Sequence, residues 1–273
     1  MKFSVLISVY KKESPKYLDG CLKSILCNQS IKPNEVVIIN DGEITLELNN
    51  IIIKYKNKFP KVLVNHGYKD NKGLGFALNY GLSYCSNELV FRMDADDIAH
   101  KKRFQRQINF LSKNSDISIL GSTIEEFNDN LHDLKRIRKV PLSSIEIEKK
   151  KLIKNPFNHM TVCFKKSHII NAGGYSNMPG YEDYYLWLRV LNIYKGHNLR
   201  KPLVYARVGN NMIARRQGFH FFVNEIRFQK AIYFDGIQSF VSLIKNVIIR
   251  GLPRILPKFI LKILYKYFLR NSL

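Results

Sequence analysis

Asp94, Asp96 and Asp97 fall within four positions in the stretch FRMDADDIAHKKRF, directly after the apolar run Leu89–Phe91. Like charges this close repel, and partial shielding from water raises the pKa of each. Something positive must offset them. In an extended continuation of the run, Asp94 and Asp96 project to one side and Ala95 to the other. Two carboxylates side by side suit a hard divalent cation, Mg²⁺ or Mn²⁺, which takes oxygen ligands and leaves positions open for the phosphates of a nucleotide. The competing reading is a loop whose aspartates cap a helix beginning near Lys101. One aspartate would serve as that cap, and three exceed the need.

Glu182-Asp183, in GYEDYYLWLRV, is a second acidic group. It offers a proton acceptor away from a bound cation. The dipole of a helix starting there would favour the same two residues for purely structural reasons. His159, in NPFNHMTVCF, is a lone imidazole that either approaches the cation or the diphosphate, or is structural. Arg207, Arg215 and Arg216 lie in and beside a segment flanked by Gly209 and Gly218. They form either a diphosphate clamp on a moving loop or a solvated surface. Arg136 and Arg138 are a further basic pair.

The elements that must position these residues alternate along the first hundred residues. Strands are expected at Phe3–Val9, Glu35–Asn40, Lys61–Asn65 and Glu88–Met93, and helical patterns at Lys16–Cys27, Leu46–Lys58 and residues 72–84. Strands apolar on both faces, separated by helices, predict a doubly wound, mostly parallel α/β sheet. Ligands of such sheets bind beyond the carboxyl ends of the strands, where Val9-Tyr10, Asp41-Gly42 and Asp94–Asp97 all fall. After residue 100 the rhythm changes. A helix is expected over Lys101–Lys113, short strands at Ile117–Leu120 and Thr123–Phe127, and a helix over Ser143–Lys154. A strand at Met160–Phe164, a strong amphipathic helix at Glu182–Ile193 and a last strand at Leu203–Val208 follow.

A chain of 273 residues with 45% apolar content can bury a sizeable core, and its net charge of +22 points to an anionic partner. Cys21, Cys27, Cys85 and Cys163 show no CxxC pair, so a zinc site is not expected, and four thiols suit a reducing cytoplasm. The opening run MKFSVLISVYKKE is too short in its apolar part for a signal peptide. No apolar run is long enough to predict a membrane-spanning helix.

Several stretches, taken in order, carry a resemblance: SVLISVYKKESPKYLDGCLKSIL, EVVIINDG, NKGLGFALNYGL, FRMDADDI, NHMTVCFKK, NAGGY and YEDYYLWLR. Together they resemble the family 2 bacterial glycosyltransferases of the GT-A fold, with their DxD motif, and in particular those building O-antigen and capsular repeat units. The resemblance spans roughly residues 1–220 and implies a UDP-sugar donor with Mn²⁺ or Mg²⁺. By its pattern Val9 and Tyr10 line the uracil pocket, Glu13 stands nearby and Asp41 accepts a hydrogen bond from the base. Gly73, in Lys72–Gly75, opens a helix beside the nucleotide, where glycine permits close backbone approach. Arg92, Asp94 and Ala95 neighbour the ribose and metal, with Asp96 the principal metal ligand. Asp183 is the expected catalytic base of an inverting transfer, with Glu182 orienting it or touching the acceptor.

The resemblance also implies a lipid-diphosphate-linked GlcNAc acceptor, a glucose or galactose donor and a β-1,3 linkage, with a UDP-N-acetylhexosamine donor as the alternative. The expected organisation is a GT-A domain over 1–220, with a nucleotide-binding half (1–100) and an acceptor-binding half (101–220). A cationic helical segment over 221–273 follows. There Arg250, Arg254, Lys258, Lys262, Lys266 and Arg270 recur every fourth position among apolar residues. That stripe suits an interfacial helix on an anionic membrane, or a terminal helix packed on the protein itself. The protein is therefore expected to be cytoplasmic and peripheral on the inner face of the plasma membrane. A nucleic-acid-binding protein would explain the charge but not the acidic cluster, and no nucleic-acid-binding motif is present. A processive synthase would carry membrane helices and a QxxRW motif, and neither is found.

Overall fold

The computed structural model describes residues 1–208 and 218–255. They divide between two compact units, one of Met1–Asn177 with Glu182–Val208, the other of Met178–Tyr181 with the chain from Gly209 onward.

The first unit is a three-layer α/β arrangement. Strands β1 (Phe3–Val9), β2 (Glu35–Asp41), β3 (Leu63–Tyr68) and β4 (Leu89–Met93) pair in parallel in the order β3-β2-β1-β4. Helices α1 (Pro15–Leu22, continued by a wider turn to Cys27), α2 (Leu46–Lys58) and α3 (Leu74–Tyr84) connect them. The period-two alternation of β1 assigns its residues to two cores. Phe3, Val5, Ile7 and Val9 face Leu18, Leu22, Ile52 and Phe104. Leu6 faces the other way, with Val37, Ile39, Leu78 and Leu82. Each such side chain contributes about 1.5–3 kcal/mol when fully buried. Gly81 lets α3 lie directly on the sheet, since a Cβ there would stand 2.3 Å from Leu6 Cδ1 and 2.8 Å from Ile39 Cγ1.

Helix starts follow their local chemistry. The side chain of Thr45 accepts the Leu48 N–H at the start of α2. Ser143 does the same for Glu146 at α5 (Ser144–Lys150).

Beyond β4 the sheet becomes mixed. β5 (Ile98–Ala99), α4 (Arg103–Leu111), β6 (Ile117–Phe127), β7 (Arg136–Arg138), β8 (Cys163–Lys165), α6 (Lys166–Asn171), α7 (Glu182–Ile193) and β9 (Lys195–Arg207) complete the unit. β8 inserts antiparallel between β4 and β6, and β9 runs parallel to β6. The two short strands expected over 117–127 are one strand. Its break signal, Gly121-Ser122, marks a close approach instead, because a Cβ on Gly121 would meet Asn198 Oδ1 at 2.3 Å. Register shifts at Ile117/Ile119 and Ser122/Ile124 absorb the irregularity. The strand expected at Met160–Phe164 is a short 3₁₀ turn, His159–Thr161, followed by β8. The last strand starts at Lys195, eight residues before the expected Leu203.

The described part of the second unit is helical: α8 (Phe219–Phe234), α9 (Phe240–Asn246, continued by a wider turn to Gly251) and α10 (Leu252–Ile255). No helix among the described residues is long and apolar enough to cross a membrane. Most of the expected interfacial helix lies outside the described residues.

Candidate active site

β2 and β4 flank β1 on opposite sides, so successive connections leave β1 in opposite directions. Such a switch point opens a crevice at the carboxyl ends of the strands. Val9-Tyr10, Asp41 and Asp94–Asp97 all end strands there. Val9 is buried and Tyr10 exposed.

Asp94, Asp96 and Asp97 each present a carboxylate oxygen, and these oxygens lie within 4.8 Å of one another. Burial, and then the neighbouring Asp94, pushes Asp96 up to about 6. Burial and both neighbours push Asp97 well above the usual carboxylate range. Glu13 joins them: burial, then Asp96 and Asp94, raises it to about 7. Arg92, almost fully buried, donates through Nη2 to Asp94 Oδ1, while its Nε and Nη1 have no hydrogen-bond partner. Asp97 Oδ2 is likewise buried without a partner. Crowded carboxylates with raised proton affinities and an orphaned buried oxygen fit a hard divalent cation. Ala95 is buried between the aspartates.

Arg207, expected in a clamp, is already engaged. Its backbone N–H donates to Asp97 Oδ1 at 2.8 Å and its Nε to the Asp96 carbonyl at 3.3 Å. Its guanidinium lies 3.7 Å from the ring centroid of Tyr17 and 4.3 Å from that of Phe127. This arginine braces the acidic loop. Arg136 and Arg138 pair with Glu126. Arg215 and Arg216 lie outside the described residues.

Arg103 was not expected at the site. It is fully buried and donates through Nη2 to the Arg92 carbonyl at 2.7 Å and through Nε to Gln107 at 3.2 Å. Burial lowers its pKa to about 10. The clue was its place beside Phe104, on the same stripe as Gln107 and Leu111, where α4 meets the core.

Asp41 accepts from Tyr68 Oη at 2.8 Å, the Lys72 N–H at 2.8 Å and Asn71 Nδ2 at 2.9 Å. These bonds fasten the loop before α3 to the end of β2. Gly73 follows with φ +87°, a left-handed value suited to glycine, and space is open where its Cβ would be. The first N–H groups of α3 have no side-chain cap from it.

Glu182 and Asp183 start α7. Asn155 Nδ2 donates to Asp183 Oδ2 at 2.8 Å. Burial raises the Asp183 pKa, against the hydrogen bond from Asn155 and the charge of Arg92. Gly75 brings α3 close to Glu182, whose Cγ would stand 3.4 Å from an added Cβ. Asn79 holds the loop before α7 by accepting the Tyr175 N–H at 2.8 Å and donating to its carbonyl at 2.6 Å. His159 is not brought into the carboxylate group. Its Nε2 pairs with Tyr175 Oη at 3.0 Å, and burial holds the ring well below its usual pKa. Arg189 donates to the carbonyls of Ala172 and Gly174.

One guanidinium, Arg92, therefore acts electrostatically on both Asp94 and Asp183. The site pairs a crowded acidic loop with a separate, buried carboxylate of raised basicity. That is the equipment for displacing a phosphate leaving group with a hydroxyl.

Comparison with known proteins identifies relatives of the chain. An Escherichia coli protein named UDP-Gal:alpha-D-GlcNAc-diphosphoundecaprenol beta-1,3-galactosyltransferase is 40% identical, covering 100% of this chain and 98% of its own. The amylovoran biosynthesis glycosyltransferase AmsE of Erwinia amylovora is 35% identical, over 97% of this chain and 98% of its own. Among solved structures, the mannosyltransferase PcManGT of Pyrobaculum calidifontis, in complex with GDP-Man and Mn²⁺, superposes with a TM-score of 0.66 at 16% identity. It covers 90% of this chain and 68% of its own, and shares the fold. Residues 4–173 match the family model for glycosyl transferase family 2, and the chain belongs to that family.

Proposed function

We propose that the protein transfers a hexose, galactose or else glucose, from a UDP-sugar to GlcNAc borne on a polyprenyl diphosphate. The transfer inverts the anomeric centre, forms a β-1,3 linkage and serves bacterial surface-polysaccharide assembly at the inner face of the plasma membrane. The observation that carries this reading is the 40% identity, along the full length of both chains, to an enzyme named for that transfer.

In this reading residues 1–100 bind the nucleotide and residues 101–220 the acceptor, while 221–273 meet the anionic membrane. Val9, Tyr10 and Asp41 surround the base, and the start of α3 at Gly73 gives the backbone room beside the phosphates. Asp94 and Asp96 would hold Mn²⁺ or Mg²⁺, which would supply positive charge for the departing diphosphate. Arg92 adds charge from behind, and Arg207 and Arg103 keep the acidic loop in place. Asp183 takes the proton of the acceptor hydroxyl as its oxygen bonds to the anomeric carbon. The bond from that carbon to the diphosphate breaks, and its electron pair leaves on UDP. Burial makes Asp183 a better proton acceptor than an exposed aspartate, and Asn155 fixes its orientation. Glu182 orients the acceptor.

The test is UDP release by purified protein with Mn²⁺, a panel of UDP-sugars and a GlcNAc-diphosphate-lipid. Acceptor-dependent release with one hexose donor, abolished by EDTA and by Asp96→Ala, is expected. Release that survives both would refute the metal site, and release with only another acceptor would refute this one.

A further inference from the structure

The helical unit buries a polar network beside the apolar side chains of Phe228 and Ile232. Its interior holds Glu225, fully buried, which accepts from Arg250 Nε at 3.0 Å and Arg254 Nη2 at 3.0 Å. Tyr181 Oη also donates to Glu225. The network continues inward: Gln229 Nε2 donates to Glu225 at 2.9 Å, Gln238 Nε2 to Gln229 at 2.9 Å and Asn246 Nδ2 to Gln238 at 3.1 Å. Arg250 and Arg254, the first two members of the four-spaced basic stripe, are thus turned into the unit and ion-paired.

Arg227, Lys230 and Asp235 of α8 and its end are exposed, but α9 and the turn after it present mainly apolar side chains. Phe240 is 60% exposed, Val241 76%, Ile248 52% and Ile249 54%, with Ile244 and Leu252 also exposed. Exposed apolar side chains gathered on one helical segment mark an interaction surface. Lys245 lies among them, also exposed. From Gly236 to the end of the sequence there are seven Lys or Arg residues and no Asp or Glu.

We propose that this face of α9 and the turn after it docks on an anionic lipid bilayer, placing Phe240, Val241, Ile244, Ile248 and Ile249 at the acyl boundary and Lys245 among the headgroups. A second copy docking by the same face would add another Lys245 to an interface whose lining carries no Asp or Glu. The chain's own final residues are apolar and basic with no Asp or Glu, so they too bring no counter-charge to Lys245. An anionic bilayer complements both the apolar surface and the charge, as for an interfacial amphipathic helix. Docking here would serve the lipid-borne acceptor proposed above and rests on that reading for its purpose, but it can be tested without donor or acceptor.

Full-length protein is sedimented with vesicles of phosphatidylcholine alone and with vesicles containing phosphatidylglycerol. Strong binding only to the anionic vesicles is expected, falling as salt rises. Val241→Glu/Ile248→Glu should weaken it about tenfold or more, and Lys245→Glu about tenfold. Far-UV circular dichroism and UDP release with a short-chain, water-soluble acceptor should be unchanged in these variants. A Phe240→Trp reporter should be quenched by brominated lipid. Equal binding to both vesicle types, or variants that bind as well as the parent, would overturn the proposal. A dimer that the double variant dissociates would assign the face to a second copy. A large drop in melting temperature without loss of vesicle binding would assign it to the chain's own packing. Loss of UDP release with vesicle binding intact would count against the proposed transfer alone.

Discussion

The α/β unit and the helical unit place charge in opposite ways. In the first, Phe3, Val5, Leu6 and Ile7 are fully buried, and the carboxylates stand at the strand ends, where a ligand can reach them. In the second, the carboxylate of Glu225 is at the centre and Phe240 and Val241 are outside. The first arrangement leaves crowded, incompletely satisfied charge at the strand ends. The second satisfies its charge internally and leaves apolar surface to be covered. Unmet electrostatic demand thus points to a polar ligand, and unmet apolar area to a lipid or protein surface.

The sharpest break of this contrast is expected at Asp183. Asp183→Asn should lower kcat by about 10²–10⁴-fold, the range for losing a general base. It should also change the pH dependence of stability. Burial raises the folded-state pKa of Asp183 above its ordinary 3.8, so the folded protein favours the protonated form. The stability this group contributes is full below its unfolded pKa and is lost as pH rises through the raised folded value. Asp183→Asn should therefore melt higher than the parent at neutral pH, with the gain vanishing near pH 3–4. Melting curves across pH, set beside initial rates, check both halves.

Glu225 should behave oppositely, because it neutralises its surroundings. Glu225→Ala leaves Arg250 and Arg254 without their buried partner and should cost about 3–5 kcal/mol. Calorimetry should show the loss. If it is absent, the buried ion-paired network around Glu225 does not hold the helical unit together.

Smaller effects probe packing in the α/β unit. Gly81→Ala drives a methyl into Leu6 and Ile39 and should cost about 1–3 kcal/mol in denaturant titrations, with metal affinity kept. Ser143→Ala removes the cap of α5 and should cost about 1 kcal/mol, leaving catalysis unchanged.

Much of this was legible along the chain because it is local. The alternation in Phe3–Val9 and the helix Glu182–Ile193 appear with the expected bounds, since side-chain period and first-turn acidity are properties of neighbours. The acidic loop was legible for the same reason. Arg207 was not: its backbone meets Asp97 across 110 positions, a pairing with no local signal. The antiparallel insertion of β8 was hidden too, because three residues carry no period that distinguishes direction.

The sequence alone therefore determined which groups exist and how they are spaced: the aspartates after a buried strand, the acidic pair opening a helix, a carboxylate-free cationic end. Tertiary structure decided which of the cations are engaged. Arg207 braces the acidic loop, Arg250 and Arg254 close on Glu225, and Lys245 stays exposed among apolar neighbours. The reason is physical: spacing orders a side chain within its own element, but the partner of a charge is chosen by whatever packing brings within a few ångströms.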